Sequence, residues 1–192
     1  MTMLRRCRQP ARPSQGPARF RRQGGFTLIE AALTTVIVGT GVLAIVAAQQ
    51  AYHMKNQWAK RAGTGMLLAN ELRELMASMP LRDPITKDST IGPEENDPIN
   101  YDDIDDFTNV TIGDGSSGDS AQPLTGMGQR ADSLSRWSQQ VMVEEVTYED
   151  VSGSAVAAGT GDVARVTVIV YYDGPNMAEP EAVTQLSWTV AP

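Results

Sequence analysis

The hydrophobic pattern changes its period along the chain, and each change predicts a different element. From Phe26 to Ala48 runs a stretch of 23 apolar or small residues in which Glu30 carries the only charge. At about 1.5 Å per helical residue this stretch matches the hydrocarbon core of a bilayer, which predicts a membrane-spanning helix over 26–48. Residues 49–79 turn to Ala, Gln, Leu, Glu, Lys and Met, which favour helix, and Leu68, Leu72, Leu75 and Met79 recur at i, i+4, i+7 and i+11. The helix is therefore expected to continue over 49–79 and to lay that stripe on a globular head. Glu71, Arg73 and Glu74 supply its wetter side, and Pro80 and Pro84 end the pattern. Gly39, Gly41, Gly63 and Gly65 are its weak points.

Residues 80–136 hold no sustained period. Pro, Gly, Asn and Asp cluster there, as in Tyr101-Asp102-Asp103-Ile104-Asp105-Asp106-Phe107, so an acidic irregular loop region with short elements is expected. Period two then takes over across 137–192. Ala164, Val166, Val168, Val170 and Tyr172 alternate with Arg165, Thr167 and others, and Ala182, Thr184, Leu186, Trp188 and Val190 alternate with Gln185, Ser187 and Thr189. In the preceding run Trp137, Val141 and Val143 share one parity while Val146 and Tyr148 have the other, which predicts a bulge at Glu144-Glu145. The Gly-, Ala- and Pro-rich connections 150–162 and 173–181 suit an antiparallel meander. The expected fold class is α+β: a long N-terminal helix packed on an antiparallel sheet of about three or more strands.

Charge adds a direction. Arg5, Arg6, Arg8, Arg12, Arg19, Arg21 and Arg22 give residues 1–25 a charge of +7 with no acid, and the remainder carries −14. A basic segment before an apolar helix stays on the cytoplasmic side, so the acidic head is expected to be exported. The acidic balance gives no clustered positive patch for nucleic acid. Cys7 is the only cysteine, so no disulfide can staple the head.

Glu30 needs an explanation, since a carboxylate within such a segment costs roughly 2.5–3.5 kcal/mol on insertion scales. An ordinary secretory signal cut near Val46-Ala47-Ala48, a plain signal anchor, and a twin-arginine signal at Arg5-Arg6 all leave it without a use. The run Gly25-Phe26-Thr27-Leu28-Ile29-Glu30 behind a basic leader resembles the prepilin signal of the type IV pilin and type II secretion pseudopilin superfamily. The resemblance implies that a prepilin peptidase removes residues 1–25 by cutting between Gly25 and Phe26, and N-methylates Phe26. It implies that Glu30 pairs with the Phe26 ammonium of a neighbouring subunit during assembly. Major subunits of type IVa pili carry a proline where this chain has Ala47, which favours a minor pilin or pseudopilin. The Tyr101–Phe107 run is also similar to one after the helix in minor pilins of the mannose-sensitive haemagglutinin type. The partners so implied are other pilin or pseudopilin subunits, the peptidase, an inner-membrane assembly platform and membrane lipid. The implied location is the bacterial inner membrane, single-pass, with the head in the periplasm or at the cell surface.

Other constellations carry less. Gly113-Asp114-Gly115-Ser116-Ser117-Gly118 matches G-x-G-x-x-G but follows no expected strand and opens no helix, and Gly39-Thr40-Gly41-Val42-Leu43-Ala44 lies in the membrane run. Asp102, Asp103, Asp105 and Asp106 offer hard oxygen ligands without EF-hand spacing, so a solvated acidic loop is expected there rather than a calcium site. His53, the only histidine, is expected on the helix surface, leaving zinc ligation and Ser/His or Cys/His catalysis without partners. The expectation is a structural subunit with no enzymatic activity and no cofactor. A signal-anchored membrane binding module with an exported acidic head is the alternative, and a signal-anchored enzyme a weaker third.

Overall fold

The computed structural model describes residues 25–83, 92–113, 122–157, 159–175 and 177–191. The arginine leader, Pro84 and residues 114–118 lie outside them. The chain divides into two compact units, residues 1–49 and 50–192. A single helix α1, Leu28–Met76, contributes to both.

In the first unit α1 is long and apolar enough to cross a membrane, and none of its most apolar window is buried. Phe26, Leu28, Ile29, Leu33, Val36 and Leu43 are all exposed. An all-round apolar helix left uncovered by the described residues needs an apolar medium or other helices to cover it.

In the second unit the helix ends on the expected stripe, shifted slightly. Gly65, Leu68, Ala69, Leu72 and Met76 are buried, while Leu75 and Met79 pack at the edge of the core. The helix stops at Met76, three residues before the expected Met79, and Ala77–Met79 continue it as a looser turn ahead of Pro80. It covers an antiparallel sheet of four strands in the order β1 (Val110–Ile112), β2 (Trp137–Val146), β3 (Val163–Tyr172) and β4 (Glu181–Val190). The α+β architecture expected from periodicity is the one observed.

Three details of the sheet correct the expectation. β2 pairs with β3 without interruption from Trp137↔Tyr172 to Val146↔Val163, so there is no bulge at Glu144-Glu145. Trp137, Gln139, Val141, Val143 and Glu145 keep one parity and are all buried. Glu145 tolerates this because Arg82 pairs with it and the N–H groups of Thr160 and Gly161 donate to it at 3.0 and 2.9 Å. Burial alone would raise the Glu145 carboxyl, but those donors and Arg82 outweigh it and hold the group below the usual glutamate value.

The irregularity lies elsewhere. The β3–β4 register shifts between Val170, opposite Thr184, and Tyr171, opposite Ala182, leaving Val183 as the extra residue. Ala182 therefore leaves the covered face and is exposed, while Val183 packs on the core in its place. Gly65 lies where this happens. A Cβ there would come 2.9 Å from the Thr184 hydroxyl and 3.3 Å from a Val183 methyl, so the helix reaches the edge strand because position 65 has no side chain.

β1 was not expected; it forms within the irregular region and pairs with β2 through Val110↔Val141 and Ile112↔Gln139. Gly113 thus does follow a strand. Its φ of +89° and the closeness of the Trp137 and Pro123 backbones explain that glycine by packing at a turn.

Candidate functional site

Two places gather chemistry, one in each unit. At the first, Gly25, Phe26 and Thr27 precede the helix in irregular backbone and are exposed. Thr27 caps the helix: its Oγ1 accepts from the Glu30 N–H at 3.3 Å, and its carbonyl accepts from Ala31 at 3.1 Å. Glu30 is thus the third helical residue, exposed, in the first turn where the helix dipole favours an anion. Thr27-Leu28-Ile29-Glu30 has the spacing of a capping box, a role for both residues that the hydrophobic pattern did not reveal. Gly25, Phe26 and Glu30 fall within six residues at one helix end, with no other ionisable group among the described residues of that unit.

The second place is the acidic run after the helix. Tyr101, Ile104 and Phe107 recur every third residue and are buried, Tyr101 packing edge-on to Phe107 at 4.9 Å. Asp105–Phe107 form a single 3₁₀ turn, and N–H groups of Ile104 and Asp105 donate to the carbonyls of Pro80 and Leu81 at 3.0 and 3.2 Å. Three apolar anchors and this docking pull the intervening acids inward. Asp103, Asp105 and Asp106 are 0%, 3% and 0% exposed, so the expected solvated loop is buried at these three, while Asp102 is exposed as expected.

Asp106 organises the group. Its Oδ1 accepts from the Glu94 N–H and its Oδ2 from the Asp102 N–H, both at 3.2 Å, while its own N–H donates to Asp103 Oδ1 at 3.1 Å. One oxygen each from Glu94, Asp103 and Asp105 lie within 4.8 Å of one another, as do those of Glu94, Glu95 and Asp106 and those of Asp102, Asp103 and Asp106. Glu94 and Glu95 were not singled out in the sequence. No local spacing marks them; Glu94 joins the group through its N–H bond to Asp106, twelve residues on.

The electrostatics follow from this crowding. Burial, then the neighbouring Asp103, pushes the Asp105 carboxyl up to about 8. Glu94 is raised by the hydrogen bond it shares with Asp106, and Glu95 and Asp102 by desolvation and acidic neighbours. The folded state thus keeps on Asp105 a proton that the unfolded chain gives up near the ordinary value of 3.8. Between about pH 4 and about pH 8 the folded state binds more protons, so stability falls as pH rises. Glu145 has the opposite sign, but its stabilisation is lost only in acid, below that window. Thermal unfolding in buffer free of divalent cations should therefore give a lower Tm at pH 8 than at pH 5, and Asp105→Asn should flatten the slope.

The remaining sequence candidates separate. His53 is exposed on the helix, with its ring edge-on to Tyr52 at 6.3 Å. A cleft of about 220 Å³ is lined by Leu81, Arg82, Glu145 and the 159–163 turn. Its one acid–base pair, Arg82–Glu145, is already committed to holding that turn. Compared with protein-family models, curated proteins and solved structures, the chain matches none.

Proposed function

We propose that this chain is a minor pilin or pseudopilin, a structural subunit made as a precursor and assembled through its N-terminal helix. The observation that carries the reading is Glu30 in the first turn of an exposed apolar helix, five residues after Gly25. Prepilin peptidase would cut between Gly25 and Phe26 and methylate the new amine. The bared helix would be held in the inner membrane as a single span, with the head exported. Its assembly platform would then draw it into a type IV pilus or type II secretion pseudopilus beside other pilin-like subunits. A helix uncovered over its whole apolar window supports this, because neighbouring helices would cover it in a filament. The acid would set register: an unpaired carboxylate in low dielectric is unfavourable, and a neighbour's ammonium neutralises it. The head would act by surface recognition and not by catalysis.

Processing supplies the test. In cells making a prepilin peptidase the chain should lose its 25-residue leader, seen as a faster-migrating band. Gly25→Ile should block that shift, because the peptidase site needs backbone to enter without a side chain. A shift of equal extent in cells lacking the peptidase would contradict the reading.

A further inference from the structure

We propose that Glu94, Asp103 and Asp105 form a divalent-cation site of the calcium class, built on the 3₁₀ turn that follows the helix. Acids crowded at a surface are ordinarily solvated and need no ligand. Here two of the three are buried, and each leaves an oxygen without a donor among the described residues: Asp103 Oδ2 and Asp105 Oδ1. A buried carboxylate oxygen without a partner is costly, so these atoms call for a cation or a proton.

The geometry distinguishes between those two. Oxygens bound to calcium at about 2.3–2.6 Å stand at most about 5 Å apart across the ion, and one oxygen from each of the three acids falls within 4.8 Å of the others. The backbone is already fixed. Ile104, between the two buried aspartates, is anchored in the core, and the Ile104 and Asp105 N–H groups are docked on Pro80 and Leu81. Asp106 spends both oxygens on N–H groups and so positions Glu94 and Asp102. Glu94 is exposed and gives the ion its route from solvent. The charges acting on Glu94 and Asp105 are themselves acidic. Sharing protons would take two separate pairs, Asp103 with Asp105 and Glu94 with Asp106. One dication reaches all three acids and supplies the partner that Asp103 Oδ2 and Asp105 Oδ1 lack among the described residues.

All-carboxylate coordination with a flexible, solvent-facing member suits calcium, since magnesium retains waters and demands a stricter octahedron. The ion would clamp residues 94–107 against the end of the helix, making the order of this surface depend on calcium outside the cell. The inference stands or falls independently of how the N-terminus is processed.

The full chain in detergent, stripped with a chelator, is titrated with calcium chloride by calorimetry and followed by thermal unfolding. The expected result is saturable binding of one ion, with a dissociation constant on the order of 10⁻⁴ to 10⁻³ M. A rise in Tm with calcium, larger than at equal magnesium, is also expected. Asp103→Asn and Asp105→Asn should each weaken binding by at least the roughly tenfold that even an outer-shell change costs a metal site. Glu94→Gln, at an exposed position that does not threaten folding, should do the same, while Asp132→Asn should leave binding unchanged. No saturable heat and an unchanged Tm at 10 mM calcium, on the order of ten times the weaker expected constant, would overturn the site. So would an equal response to magnesium, or wild-type binding by Glu94→Gln.

Discussion

Glu30→Val is expected to yield a chain that enters the membrane and folds its head normally, yet is lost from assembled filaments. The substitution removes the one charge in an apolar run, so insertion becomes easier by roughly the 2.5–3.5 kcal/mol the carboxylate costs. Assembly responds in the opposite direction, because in the proposed filament the neighbour's Phe26 ammonium is left in low dielectric without its acid. Removing one partner of such a pair costs about 3–5 kcal/mol, more than about a hundredfold in incorporation. The capping geometry supplies a control. Thr27 Oγ1 holds the Glu30 N–H, a bond that valine keeps, whereas Thr27→Ala removes it and leaves the acid. Co-purification with the filament fraction should collapse for Glu30→Val and persist for Thr27→Ala. Equal loss in both would assign Glu30 to helix capping, and normal incorporation of Glu30→Val would remove the pairing role.

Gln139→Met should destabilise the head by about 2–4 kcal/mol while preserving the volume of the core. Gln139 is fully buried on the covered face of β2, opposite Val170 and Ile112. Its Oε1 accepts from the Leu124 N–H at 2.8 Å, and its Nε2 donates to the Leu124 and Leu68 carbonyls, each at 3.1 Å. One side chain therefore ties helix, sheet and the 122–134 connection together. Methionine fills the space but leaves the Leu124 N–H buried without an acceptor, and that deficit exceeds the net value of any one of the bonds. The corresponding fall in Tm is about 5–15 °C, read by near-ultraviolet circular dichroism. Gln185→Met, at an exposed position of β4, should stay within about 0.5 kcal/mol of the parent.

The same residue shows where periodicity stops informing. The helix stripe and the alternation of β3 were legible because each element's burial is set by its own spacing. Gln139 and Glu145 broke the alternation of β2, and a bulge was the local way to repair it. Their partners are Leu124, Leu68, Arg82 and the 160–161 turn, the farthest of them 71 residues away, and no window along the strand contains them. The real register shift, between Val170 and Tyr171, stayed hidden because Ala182 and Val183 are both apolar and either could face inward. β1 is three residues long and too short to show a period. The acidic run resists reading for a different reason: each charge taken alone favours solvent, whereas Tyr101, Ile104 and Phe107 together carry Asp103, Asp105 and Asp106 inward. At the N-terminus the opposite holds. Gly25, Phe26 and Glu30 were all legible in the sequence, and the capping role of Thr27 emerges only in the folded helix.

The central claim concerns the chemical state of residue 26. Intact and fragment mass spectrometry of the chain, recovered from membranes of cells that make a prepilin peptidase, reads it directly. The account predicts a chain that begins at Phe26 and carries one methyl group on its amine. A chain that retains the arginine leader, or one that begins at Gln49, would contradict it.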